Sequence, residues 1–120
     1  MKLGFLVLAA LLLVSSVSFG QVIQKGDFVA NVNSEGYSLN GGSGQRAYST
    51  FIKFTKAFTK DPMVMVSLTS YDGAPGKDGN VRVAVKAESV TKEGFTLKVS
   101  TWGDSRVTGV EGSWIAYTNK

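Results

Sequence analysis

The 120-residue chain contains no cysteine and no histidine, and only two prolines. Without cysteine there is no disulfide framework, on which small secreted domains commonly depend, and no thiol nucleophile or thiolate ligand. Without histidine the chain lacks the commonest general base and the commonest imidazole metal ligand. It also lacks the imidazole that serine and cysteine hydrolases use. No two carboxylates stand at a spacing that nominates the facing acids of a glycoside hydrolase. These absences argue against an enzyme, a resident cofactor or a bound metal. Basic residues are scattered along the chain rather than clustered, unlike a nucleic-acid footprint, so nucleic acid is not an expected partner. There is no N-x-S/T sequon.

What is present begins with targeting chemistry. Lys2 is followed by the apolar run Leu3 to Val14, then by a small, polar stretch with Ser18 and Gly20 at the positions a signal peptidase reads. Charge, apolar run and small-residue site in that order predict a signal peptide over residues 1–20. The protein is therefore expected to be secreted and extracellular, with one domain over residues 21–120. No later segment is apolar enough to insert in a membrane as a helix. About one hundred residues suffice for one core. With no disulfides, stability rests on core packing and on oligomerisation. Without Lys2, twelve basic and nine acidic residues leave a net charge of +3, which favours acidic surfaces mildly.

The remaining sequence reads as strands divided by turns. Met63 to Leu68, after Pro62, is an apolar run suited to a central strand. Val81, Val83, Val85 and Ala87 share one face, with Arg82 and Lys86 on the other. Phe95, Leu97 and Val99 alternate with Thr96, Lys98 and Ser100. Trp114 and Ala116 alternate with Ile115 and Tyr117, which predicts cover on both faces. Lys92-Glu93-Gly94 reads as a hairpin turn with Gly94 at a positive-φ position. Asp72 to Gly79 reads as a long polar loop, and Asn40 to Gly44 as a second. Several short strands at this spacing predict an all-β sandwich or barrel.

Few of these loops carry chemistry. Asp72 and Asp78 lack the carboxylate density of a calcium loop and read as turn formers. Gly41-Gly42-Ser43-Gly44 lacks the lysine-serine or lysine-threonine pair, and the helix, of a phosphate cradle. Thr101-Trp102-Gly103-Asp104-Ser105-Arg106 says more. A saccharide site needs a flat apolar surface for the sugar ring and forked donors or acceptors for its hydroxyls. Trp102 supplies the first, and Arg82, Asp104 and Arg106 the second. On composition alone the competing reading is stronger, with Trp102 as a core cap and the arginines solvated.

The order of several short segments resembles the H-type lectin domain, the fold of snail agglutinins and of the C-terminal domain of slime-mould discoidins. The segments are Phe54-Thr-Lys-Ala-Phe58, Pro62 with Val64-Met-Val66-Ser-Leu68-Thr, and Asp72. After them come Asn80-Val-Arg82-Val, Val90-Thr-Lys-Glu-Gly94-Phe95, Thr101-Trp102 and Ser113-Trp114-Ile-Ala-Tyr117. The resemblance implies a six-stranded antiparallel β-sandwich that assembles as a homotrimer or higher homo-oligomer. It implies binding of glycans ending in galactose or N-acetylgalactosamine, at a shallow site near the boundary between protomers. Arg82 matches the arginine that hydrogen-bonds sugar hydroxyls, Trp102 the tryptophan packed at the site, and Gly41 a backbone contact from the preceding loop. Three positions depart from the pattern. Ser43 stands where the family has an acceptor aspartate, Gly103 where snail agglutinins have histidine, and Thr108 where an aromatic is expected. The implied role is recognition, adhesion or crosslinking of glycan-bearing surfaces. The alternative is a structural or adhesive protein that keeps the fold without sugar binding.

Overall fold

The computed structural model describes residues 21–119, so the expected signal segment at 1–20 lies outside the described residues. Six strands follow one another: β1 (Gln21–Asn31), β2 (Arg46–Lys53), β3 (Met63–Ala74), β4 (Ala84–Glu88), β5 (Gly94–Thr101) and β6 (Arg106–Asn119). They form two three-stranded antiparallel sheets, ordered β1-β6-β3 and β2-β5-β4. The sheets face each other as a sandwich, the expected all-β class.

The unbroken alternation of β5 makes it the centre of one sheet, with Phe95, Leu97 and Val99 fully buried. Val85 and Ala87 of β4 and Ile52 of β2 pack against them. From the other sheet, Phe28, Ala30, Val110, Trp114 and Ala116 complete the core. Phe54, just after β2, ties the layers together. Its ring lies 4.9 Å from Phe58, 5.9 Å from Phe95 and 5.7 Å from Trp114, and Phe95 meets Trp114 edge-on at 5.5 Å. Each such ring contributes about 1.5–3 kcal/mol through burial alone. The chain thus replaces absent disulfides with an aromatic cluster.

Four expectations are corrected. Met63 to Leu68 does not form a central strand. β6 takes that position, and Met63 and Met65 point outward, each 63% exposed. Asp72 to Ala74 belong to β3, so the loop runs over residues 75–83 and includes Val81 and Arg82, which precede β4. Gly94 opens β5 at ordinary φ. The left-handed residue of that connection is Ser89 (φ 50°), and Gly94 is required because a Cβ there would strike the Ile52 carbonyl and the Phe51 ring. Finally, the two faces at the C-terminus are not both covered by the described residues, since Ile115 is 45% exposed.

Strand β1 was not legible in the sequence. Its inward positions include Gln24 and Gly26, which interrupt the apolar alternation. Gly26 is needed there, because a Cβ would lie 2.8 Å from three atoms of the Trp114 indole. β6 hides its pattern differently. Gly109 pairs with Asp72 and Val107 with Gly73, so Thr108 is an extra residue in a bulge. Val107 and Val110 consequently both face the core.

Candidate functional site

Three connections meet at one end of the sandwich: residues 40–45, the β3–β4 loop over 75–83, and the β5–β6 turn over 102–105. The segment before β2 is docked from within. Tyr37 donates its hydroxyl to the Val107 carbonyl at 2.5 Å, and Val107 N–H donates to the Leu39 carbonyl at 2.8 Å. Burial pushes the Tyr37 phenol up to about 12, with Tyr71 adding a smaller repulsion. Loop 40–45 is thereby held against the start of β6.

Arg46 locks that loop to the β5–β6 turn. Its guanidinium donates to the carbonyls of Gly41, Gly44 (3.0 Å), Gly103 (3.1 Å) and Ser105 (2.9 Å). Gly44 N–H adds a bond to the Gly103 carbonyl at 2.8 Å. Gly103 adopts φ +68°, where a side chain is strained, and a Cβ would lie 3.3 Å from the Arg82 guanidinium. Glycine at this position therefore has a local physical reason.

The β3–β4 loop is fastened to the same turn. Buried Thr101 donates to the Arg82 carbonyl at 2.6 Å, and buried Ser105 to the Asn80 carbonyl at 3.0 Å. Lys77 N–H donates to both Asp104 oxygens, at 3.1 and 3.3 Å. A Cβ at Gly76 would displace the Asp104 carboxylate. Asp78 and Arg82 form a forked pair at 2.5 and 3.2 Å. Arg82, with Asn80 N–H and the Asn80 amide, holds the Asp78 carboxyl well below the ordinary carboxylate range.

Between these loops lies a groove of about 500 Å³, whose walls include Gly41, Pro75, Lys77, Asp104 and Arg106. Of the residues singled out from sequence, Gly41, Asp104 and Arg106 line it together. Arg82 and Gly103 lie against each other beside it, though neither lines it. Ser43 and Trp102 are exposed in the flanking loop and turn and do not line it. Trp102, at 41% exposure, is not a core cap. Thr108 is not brought to this groove. It lines a second one, of about 340 Å³, with Asn31, Ser70, Asp72 and Glu111. Arg46 was missed in the sequence, and the Gly73–Gly79 loop was expected at the rim of the site without Lys77 being singled out in it. No local signal marks Arg46, because two of its bonds reach 57 and 59 residues along the chain. Among the described residues no group of acids is arranged to hold a metal ion.

Residues 49–117 match the H-type lectin domain family. Over 83 residues the chain is 34% identical to ATP synthase subunits region ORF 7 of Fuscovulum blasticum, covering 69% of this chain and 70% of that protein. Over 88 residues it is 32% identical to Discoidin-2 of Dictyostelium discoideum, covering 73% of this chain but 34% of that protein. The solved structure of recombinant discoidin II from the same organism superposes with a TM-score of 0.75 at 27% identity, over 84% of this chain and 38% of that one. The chain thus spans little more than a third of discoidin II. The tailspike protein gp49 of Pseudomonas phage LKA1 shares the fold alone, at 16% identity and a TM-score of 0.52 over 82% of this chain and 15% of that one. With the matched segment running from β2 to β6 and the sandwich in common, the chain belongs to the H-type lectin domain family.

Proposed function

We propose that the protein is a secreted, non-enzymatic lectin that binds galactose- or N-acetylgalactosamine-type glycans through several shallow sites at once. The observation that carries this reading is the groove in which Gly41, Asp104 and Arg106 converge, next to the Arg82–Asp78 pair, in a chain of the H-type lectin domain family. Asp104 keeps acceptor capacity beyond the Lys77 N–H and provides a carboxylate where loop residue Ser43 has none. Exposed Trp102, two residues from Asp104, offers an apolar face for a sugar ring. Membership in the H-type lectin domain family supports glycan recognition as the use of this sandwich.

Multivalency is supported by the outer face of the β1-β6-β3 sheet. Ile23, Tyr117 and Met63 stand in one row across it, and Lys25, Ile115 and Met65 in the next. Such an apolar patch on a secreted domain marks an interaction surface, and a homotrimer would bury it. Glycan-array binding of the native protein and of Arg82→Ala tests the site. Binding to galactose-terminated glycans is expected, with a loss of at least about tenfold in the variant and an unchanged circular dichroism spectrum. Full binding by Arg82→Ala would remove Arg82 from the site. No binding by the folded native protein would leave the fold without this function.

A further inference from the structure

The fold gathers four of the scattered basic residues at one end of the sandwich. Arg46, Lys77, Arg82 and Arg106 border the loops around the first groove, and among the described residues Asp78 and Asp104 face them. Four cations against two carboxylates leave this end of the sandwich at +2. The pairing is uneven. Asp78 commits both oxygens to Arg82 and Asn80. Arg46 gives its donors to carbonyl oxygens alone. Lys77 and Arg106 remain. Both are exposed, both line the groove, and the side chain of neither makes a hydrogen bond or ion pair among the described residues. The acids Asp72 and Glu111 belong to the second groove, which shares no lining residue with the first.

This donor surplus has a chemical consequence. A free ammonium carries three N–H donors and a guanidinium five, with no acceptor. Neutral sugar hydroxyls are best held by donors and acceptors in balance, whereas an anion needs donors alone. We propose that the groove selects an acidic saccharide, one carrying a carboxylate or a sulfate ester. Arg106 forks the anion, Lys77 adds a point charge, and Asp104 accepts from a hydroxyl of the same sugar. The proposal rests on the lectin reading and narrows its ligand class.

The test is solution binding of the purified protein to matched glycans: neutral galactose-terminated, sialylated, uronate-terminated and sulfated. Acidic members are expected to bind at least about tenfold more tightly than the neutral one, and more weakly as salt is raised. The carboxylated and sulfated arms identify which anion is preferred. The double variant Lys77→Gln, Arg106→Gln is expected to bring the acidic glycans to the neutral level. Lys86→Gln with Lys98→Gln removes the same charge from β4 and β5, away from the groove, and should keep the preference. Equal binding of neutral and acidic glycans by the native protein overturns the proposal and leaves the lectin reading standing. So does a preference that survives the groove variant, or one lost equally in the control. Failure to bind any glycan removes the lectin reading as well.

Discussion

Arg46 donates to four carbonyl oxygens and, among the described residues, pairs with no carboxylate. Its planar fork holds the 40–45 loop and the 102–105 turn at one spacing, which a lysine ammonium on a flexible stem does not reproduce. Arg46→Lys is therefore expected to lower glycan affinity by about tenfold or more, while the buried aromatic cluster keeps the melting temperature within a few degrees. Amide exchange at Gly44 checks the cause, because its N–H bond to Gly103 depends on the same clamp. Native affinity together with native Gly44 protection would show the clamp to be idle. At this scale the sequence was partly legible. The Trp102 to Arg106 segment drew attention to Asp104 and Arg106 because they are neighbours in the chain. Arg46 stayed hidden because two of its four acceptors, the Gly103 and Ser105 carbonyls, are distant in sequence, and Lys77 because only the fold sets its loop beside Asp104 and Arg106.

Among the strands, legibility followed the integrity of the period-two pattern. β5 could be read because Phe95, Leu97 and Val99 alternate without a break. β1 could not, since Gly26 makes way for the Trp114 indole and so removes an apolar signal from the pattern. In β6 the extra residue Thr108 shifts the phase, and Gly109 and Gly112 carry no side chain to report which face is inside. Gly112 also has a packing role. A Cβ there would meet the Phe28 ring and the Ser67 carbonyl of the flanking strands. Gly112→Ala is expected to destabilise the fold by about 1–3 kcal/mol, since overpacking moves a strand already fixed on both edges. Denaturant unfolding measures this. An unchanged midpoint would mean that β1 and β3 yield more easily than their pairing indicates.

On the scale of the whole molecule, the sandwich buries one face of the β1-β6-β3 sheet and leaves apolar residues on the other. Ile23 is 57% exposed, Met63 and Met65 63% each, and Ile115 45%. The sequence pattern of Trp114 to Tyr117 implies cover on both faces, and the described residues cover one. The homotrimer proposed above would resolve that difference, with Ile115 near the middle of the apolar rows. In that trimer Ile115→Glu would place a charge where a neighbouring copy would remove water, a burial that costs far more than an exposed glutamate. The variant is expected to sediment as a monomer with an unchanged circular dichroism spectrum. Its affinity for a soluble monosaccharide should stay native, because the groove lies at the loop end of the sandwich. Its affinity for a glycan-coated surface should fall by about 10²–10⁴-fold as avidity is lost. A variant that remains trimeric would place the interface elsewhere. One that becomes monomeric yet keeps its surface affinity would show that a single groove suffices, and the apolar face would then serve assembly alone.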